Sequence, residues 1–185
     1  MAKIMLITGG CRSGKSRYAQ QIAEDAGEKR LFIATAPVLD KEMEHRVAQH
    51  QEMRRGRGWK TVEETLDLTG CLNQADKYDV VLCDCLTLWV SNLLFNASNN
   101  GSILTEENIR ELCREVSVSA QNTSALVLFV TNEVGLGIVP ENQTARQFRD
   151  LAGRCNQEMA AVADSVSLLT CGIPIQVKGT KNGKY

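Results

Sequence analysis

Short apolar runs separated by amphipathic segments dominate the hydrophobic pattern of this chain. Five runs, at residues 4–8, 31–34, 78–83, 125–130 and 166–170, are largely continuous rather than alternating. This pattern is typical of parallel strands that are buried on both faces. Residues 59–63 and 173–177 predict two further strands, the second at a sheet edge. The chain therefore reads as an α/β protein with a mostly parallel sheet.

The intervening segments predict helices on both faces of that sheet. Apolar residues recur at helical spacing from residue 16 to residue 26, and further helices are expected over 40–55, 66–75, 86–95, 105–119 and 142–163. Thr105 is the expected N-cap of the helix over 105–119. Residues 96–102 are expected to form a polar loop, and residues 178–185 a frayed tail. Since neither a repeat nor a linker interrupts the alternation, we expect one domain over 1–185.

Composition narrows the class of protein. The chain has 185 residues, of which 43% are hydrophobic and 23% charged, with a net charge of −1. This is a globular balance without the basic field that recruits nucleic acid. No apolar run reaches the length of a membrane span, and no secretory pattern begins the sequence. The seven cysteines are an odd number, which favours reduced thiols and a cytoplasmic location.

A glycine-rich stretch between the first strand and the first helix carries the strongest chemical signal. It fits G-x-x-x-x-G-K-[ST], the P-loop pattern, and consists of Gly9, Gly10, Cys11, Arg12, Ser13, Gly14, Lys15 and Ser16. Backbone N–H groups of such a loop surround phosphate oxygens, and the helix N-terminus adds partial positive charge. Lys15 can reach the terminal phosphates, and Ser16 can bind Mg²⁺. The alternative, an ordinary glycine turn beside a lysine, does not account for the strand and helix on either side.

Asp84 and His50 are two further candidates. Asp84 ends a strong predicted strand, where a carboxylate faces the ligand crevice and can serve Mg²⁺. Its alternative role is a cap for the next helix. His50 lies on one helical stripe with Met43, Val47 and Arg54, so it is either a histidine at the edge of a buried face or a neutral imidazole that attacks phosphorus. Pattern alone favours the structural role.

Longer motifs give the sequence a family resemblance. They are Thr8 to Ser16, Ile33 to Ala36, Asp40-x-Glu42-Met43-x-x-Arg46-Val47-x-x-His50, Trp59-x-Thr61-Val62-Glu63, the block Val130 to Asn142, and Phe148-Arg149-Asp150-x-Ala152-Gly153-Arg154-x-Asn156-Gln157. Across nearly the whole chain the sequence resembles the bifunctional adenosylcobinamide kinase / adenosylcobinamide-phosphate guanylyltransferase family of cobalamin biosynthesis. The two long blocks are highly specific, whereas the P-loop alone is not.

The resemblance implies two reactions and a site. ATP or GTP phosphorylates the aminopropanol hydroxyl of adenosylcobinamide, and GMP then passes from GTP to that phosphate through a guanylylated histidine, which matches His50. The implied fold is a RecA-like P-loop NTPase that tends to form trimers. Catalysis is assigned to His50 and Lys15, and Mg²⁺ to Ser16 and Asp84. The implied nucleotide contacts are Gly9 to Ser16, Ala34, Thr35, Ala36, Gln51, Glu52, Met53, Arg54, Glu63 and Asp84.

The sequence departs from the family pattern after the histidine. Gln51 stands where a basic residue is common, and residues 54–58 replace a frequent Arg-Pro with a change in length. One alternative is therefore a P-loop kinase for another small alcohol in which His50 is structural. A GTPase switch is a weaker alternative, since it needs an N-K-x-D-type guanine-reading segment that the sequence lacks. The donor of the kinase step, ATP or GTP, stays open.

Overall fold

Seven strands form one sheet in the computed structural model, which describes residues 3–37, 52 and 54–179. The strand order is β3-β2-β4-β5-β1-β6-β7. The neighbouring pairs from β3 to β6 are parallel, and β7 pairs antiparallel with β6. The mostly parallel sheet predicted from the apolar runs is confirmed. The strands are β1 (Ile4–Gly9), β2 (Arg30–Ala34), β3 (Trp59–Glu63), β4 (Val80–Asp84), β5 (Leu126–Val130), β6 (Ser165–Thr170) and β7 (Ile173–Lys178).

Helices cover both faces of the sheet, but unequally. They are α1 (Lys15–Ala26), α2 (Leu68–Leu72), α3 (Leu86–Asn99), α4 (Glu106–Asn122) and α5 (Gln143–Val162). Because successive strand side chains point to opposite faces, Met5 and Ile7 pack with α1, whereas Ile4 and Leu6 share the other core with residues of α2 to α5. Each large apolar side chain buried there contributes about 1.5–3 kcal/mol.

Three predicted boundaries were wrong. The helix expected over 66–75 is only Leu68–Leu72, because the Asp67 side chain accepts a hydrogen bond from the Gly70 N–H and starts the helix late. The helix expected to end at residue 95 continues to Asn99, so most of the predicted 96–102 loop is helical. Lys178 belongs to β7 rather than to a frayed tail. Two predicted segments lie outside the described residues. They are the tail beyond residue 179 and residues 40–51 of the predicted 40–55 helix.

Other details agree with the sequence analysis. Thr105 caps α4 in a capping box, where its hydroxyl accepts from the Asn108 N–H at 3.2 Å and its own N–H donates to Asn108 Oδ1 at 3.1 Å. All seven cysteines are free thiols. None of the helices in the described part of the chain is long and apolar enough to cross a membrane.

Candidate active site

The P-loop joins β1 to α1 at the carboxyl edge of the sheet. Gly9 has φ +149° and Gly14 has φ +97°, values that favour glycine. A Cβ atom on Gly9 would also collide with the Leu169 carbonyl of the neighbouring β6. The turn between β6 and β7 supports the loop from outside, because the Gly172 N–H donates to the Ser13 carbonyl at 2.9 Å. The backbone of the loop is thus fixed by its glycines and by a neighbouring turn.

Two polar groups of the loop are oriented for a ligand. Lys15 is only 7% exposed, and its ammonium donates to the Gly10 carbonyl at 2.6 Å. Burial lowers the pKa of Lys15, while the nearby Asp84 carboxylate opposes that shift. The Ser13 hydroxyl oxygen is buried and has no hydrogen-bond partner within residues 3–37, 52 and 54–179. An unpaired buried hydroxyl is costly, and a phosphate oxygen would satisfy it.

Asp84 lies at the end of β4, with one strand, β5, between it and the strand of the P-loop. It faces a cavity of about 600 Å³ whose lining includes the loop. The lining residues are Cys11, Arg12, Ser13, Gly14, Lys15, Ser16, Arg17, Asp84, Cys85, Val130 and Asn132. The structure therefore places the P-loop and Asp84, which the sequence analysis gave as separate candidates, around one cavity.

The end of β2, which belongs to the nucleotide contacts that the resemblance implies, adjoins Asp84. Ala34 is the register partner of Asp84, and the Thr35 N–H donates to the Asp84 carbonyl at 3.3 Å. The Thr35 side chain is fully buried, and its hydroxyl both donates to the Cys85 carbonyl and accepts from the Cys85 N–H, each at 2.7 Å. That hydroxyl is therefore occupied in holding β2 against the turn after β4.

Arg54 is the most unusual side chain of the region. It is 4% exposed, and its guanidinium carbon lies 3.6 Å from the centre of the Phe32 ring. Among the residues that the structure describes, its buried Nε and Nη1 have no hydrogen-bond partner. Burial lowers the pKa of Arg54, and the Asp84 carboxylate opposes the shift. Arg54 is thus a buried cation with two unused donors and an acidic neighbour.

The remaining predicted contacts lie farther out. Glu52 and Arg54 line a second cavity of about 650 Å³, where Glu52 is exposed and pairs with Arg55 at 3.4 Å. Glu63 is exposed at the end of β3, two strands from Asp84. His50, Gln51 and Met53 lie outside the described residues. The predicted site residues that are described therefore fall into a group around the P-loop and a group around Arg54.

Sequence reasoning gave no role to a polar network beyond β5. Glu133 Oε1 accepts from the Thr8 hydroxyl at 2.7 Å and from Asn156 Nδ2 at 3.3 Å. Asn156 Oδ1 accepts from the Thr131 hydroxyl at 2.6 Å. These residues come from β1, α5 and the segment after β5, so the network connects three parts of the carboxyl edge. The sequence signal that could have indicated this network is the polar run Thr131-Asn132-Glu133 directly after a buried strand.

A larger cavity, of about 940 Å³, lies elsewhere, between α3 and the first half of α5. Its walls include the exposed Phe95 and Ile103 and none of the residues predicted for the nucleotide site. Size alone therefore does not select a candidate active site, whereas the convergence of loop amides, lysine and carboxylate favours the cavity at the P-loop.

The fold and this convergence define an enzyme of the P-loop nucleoside-triphosphate class. A solved structure described as a prototypical ATPase from the type III secretion system of pathogenic bacteria has a TM-score of 0.58 with 12% identity. The match covers 91% of this chain and 51% of that chain, so this chain spans about half of its length, and the likeness concerns the fold alone.

Closer relatives specify the family. The model of the cobinamide kinase / cobinamide phosphate guanyltransferase family matches residues 5–177. The bifunctional adenosylcobalamin biosynthesis proteins CobU of Escherichia coli (strain K12) and Salmonella typhimurium are 40% and 41% identical, over 95% of this chain and 99% of each relative. CobP of Pseudomonas aeruginosa is 37% identical, over 94% of this chain and 96% of the relative. The chain belongs to the cobinamide kinase / cobinamide phosphate guanyltransferase family, and the predicted pair of activities is the pair for which this family is named.

Proposed function

We propose that this protein phosphorylates adenosylcobinamide with ATP or GTP and then transfers GMP from GTP to adenosylcobinamide phosphate through a guanylylated His50. The observation that carries the proposal is that Lys15, Asp84 and the P-loop line one cavity at the N-terminus of α1. Both reactions need a triphosphate held at that place, because each breaks a phosphoanhydride bond of the nucleotide.

The loop from Gly9 to Ser16 holds the phosphates in this proposal. Its N–H groups and the positive end of α1 attract them. The ammonium of Lys15 exchanges the Gly10 carbonyl for a phosphate oxygen, and the Ser13 hydroxyl gains the acceptor that it lacks. Stabilising charge on the transferring group in this way commonly supplies most of the catalysis.

Mg²⁺ fits the same cavity. Ser16 and Asp84 both line it, and a hydroxyl and a carboxylate are the hard oxygen ligands that Mg²⁺ prefers, usually few in number beside water and phosphate. When bound, the ion neutralises phosphate charge and orients the transferring group.

We assign the second group of residues to the rest of the guanine nucleotide. These residues are Ala34, Thr35, Ala36, Gln51, Glu52, Met53, Arg54 and Glu63. What supports this is the buried Arg54, whose Nε and Nη1 have no partner. A phosphate group that accepts from either donor would reduce the penalty of burying an unpaired cation.

His50 carries the GMP in the transferase step. The neutral imidazole nitrogen attacks the α-phosphorus of GTP, a phosphorus–nitrogen bond forms, and pyrophosphate leaves with the electron pair of the broken bond. An oxygen of adenosylcobinamide phosphate then attacks the same phosphorus, and the histidine leaves. The product is adenosylcobinamide-GDP.

Incubation with GTP and Mg²⁺ in the absence of a corrinoid tests this proposal. We expect a covalent GMP adduct and free pyrophosphate, with an acid-labile, base-stable linkage mapped by mass to His50. His50→Ala should abolish the adduct and the transferase but retain kinase activity, and His45→Ala is the matched control that keeps the label. GMP mapped to another residue, or transfer at the parent rate by His50→Ala, would overturn the covalent mechanism.

We also propose that the protein is cytoplasmic, because its free thiols suit a reducing compartment.

We further propose that it forms a homotrimer. Phe95 and Ile103 are large apolar side chains that are exposed in the single chain and that a subunit contact would cover. Light scattering should give a mass three times that of the 20.4 kDa chain.

A further inference from the structure

Glu133 stands between the two strands that carry the nucleotide site. It follows β5 directly, and its N–H donates to the Gly9 carbonyl at 3.1 Å, at the start of the P-loop. On its other side β5 pairs with β4, which ends at Asp84. The preceding residue, Asn132, lines the cavity of Lys15 and Asp84. Glu133 is therefore next to a lining residue of the proposed triphosphate site and is bonded to the start of its loop.

Only one of its two carboxylate oxygens is occupied. Oε1 accepts from the Thr8 hydroxyl at 2.7 Å and from Asn156 Nδ2 at 3.3 Å. Within residues 3–37, 52 and 54–179, Oε2 has no hydrogen-bond donor, and no lysine or arginine pairs with Glu133. A carboxylate that is held by one oxygen has a fixed orientation, and its second oxygen is available to a ligand.

The group that holds Glu133 is itself anchored. Asn156 Oδ1 accepts from the Thr131 hydroxyl at 2.6 Å, and Asn156 Nδ2 also donates to the Asn132 carbonyl at 3.1 Å. The Thr131 hydroxyl in turn lies 3.2 Å from that of Thr87, at the start of α3. Such anchoring by a second layer of residues is what keeps a reactive group in one geometry. A surface glutamate that serves only solubility has no need of it.

We propose that Glu133 is the general base of the kinase step. The acceptor is an alcohol, whose hydroxyl must lose its proton as it attacks. The hydroxyl oxygen forms a bond to the γ-phosphorus, and the bond between that phosphorus and the β,γ-bridging oxygen breaks with its electron pair on the departing nucleoside diphosphate. The proton passes to Glu133 Oε2. The inference rests on the proposed placement of the triphosphate in the P-loop, and it is independent of His50.

The two reactions of this family make the test selective. The kinase step uses a hydroxyl, which carries a proton, whereas the transferase acceptor is a phosphate that is already ionised. Loss of a base should therefore impair the first reaction and spare the second. A residue that only supports the loop would affect both, because both use the same triphosphate site.

Glu133→Gln is the decisive variant. Its side-chain carbonyl still accepts from Thr8 and Asn156, but its amide takes no proton. We expect kcat of the kinase step to fall about 10²–10⁴-fold, while KM for adenosylcobinamide, the Kd for GTP, and GMP transfer to preformed adenosylcobinamide phosphate each stay within about threefold of the parent. Glu141→Gln, at an exposed position of the same connection, is the matched control and should leave all four values unchanged.

Three results would overturn the proposal. They are kinase activity near the parent level in Glu133→Gln, an equal loss in both reactions, and a loss confined to KM. Thr8→Val removes one anchor but keeps the carboxylate, so a smaller, kinase-selective loss is expected there. If the parent protein does not guanylylate itself, the His50 mechanism fails, but the comparison of the two overall reactions still tests Glu133.

Discussion

Lys15 and Arg54 are two buried cations near the same carboxylate, Asp84, yet they end in different surroundings. The ammonium of Lys15 donates to the Gly10 carbonyl inside a loop that is already folded around it. Arg54 stacks on Phe32, and its Nε and Nη1 find no acceptor in the described part of the chain. An unpaired buried donor costs about 1–3 kcal/mol. The cation of the P-loop is therefore paired without a ligand, whereas the cation at position 54 is not, and a bound anion would reduce the cost of burying its unpaired donors.

Removing Lys15 should have the largest effect, because its charge is needed in the transition state of both reactions. We expect Lys15→Ala to lower the kinase and transferase rates about 10²–10³-fold, as is common for one such donor. The measurement is kcat for each reaction on a variant whose circular dichroism matches the parent. Lys29→Ala, at an exposed position before β2, is the control. Near-normal rates in both reactions would contradict a catalytic P-loop.

Arg54→Met should weaken the binding of GTP without lowering the stability of the folded protein. The methionine fills similar space without burying an unpaired charge, so we expect the free energy of unfolding of the ligand-free protein to stay constant or to rise by about 1–3 kcal/mol. A gain of about 1–3 kcal/mol corresponds to an increase of about 2–12 °C in Tm for a chain of this size. The Kd for GTP should rise about 10–100-fold, because a charged hydrogen bond to phosphate is lost.

Arg55→Met is the control for this substitution. Arg55 is 80% exposed in its side chain and pairs with the exposed Glu52, so its removal should change both quantities little. A variant Arg54→Met that is less stable than the parent and binds GTP normally would show that Arg54 is a structural cation.

Much of the fold could be predicted because most of its strands are continuous apolar runs and its helices carry apolar residues at helical spacing. The boundaries that failed depended on weaker forces. Asn96, Ala97, Ser98 and Asn99 are polar or small, yet α3 continues through them because its preceding turns are already packed. The late start of α2 depends on one side chain, Asp67, which accepts from the Gly70 N–H.

Residues of the candidate site could be predicted only where their signal lies in one short stretch of sequence. Gly9 to Ser16 form one motif, and Asp84 ends an obvious strand. The pairing of Thr8 with Glu133 joins residues 125 positions apart, and the stacking of Arg54 on Phe32 joins the end of the predicted 40–55 helix to β2. Neither contact leaves a periodic trace, so only the folded chain reveals them.

The smallest expected effect concerns the ring that carries Arg54. The guanidinium lies 3.6 Å from the Phe32 centroid, and the Trp59 ring meets Phe32 edge-on with centroids 6.1 Å apart. A cation on a desolvated aromatic face gains about 0.5–2 kcal/mol. That attraction partly compensates the unpaired donors and would explain why Arg54 stays buried without a ligand.

A double-mutant cycle of Phe32→Leu and Arg54→Met measures that attraction. Unfolding in urea of the four proteins, with unchanged slopes, should give a coupling free energy of about 0.5–2 kcal/mol. Loss of the Trp59 contact occurs in both Phe32→Leu proteins and therefore cancels. Phe129→Leu combined with Arg54→Met is the matched control, because Phe129 lies in the other core cluster, on β5, and the expected coupling is within about 0.3–0.5 kcal/mol of zero. An equally small value for the Phe32 cycle would mean that the ring only packs beneath Arg54, and that the folded chain buries this cation with no compensation until an anion arrives.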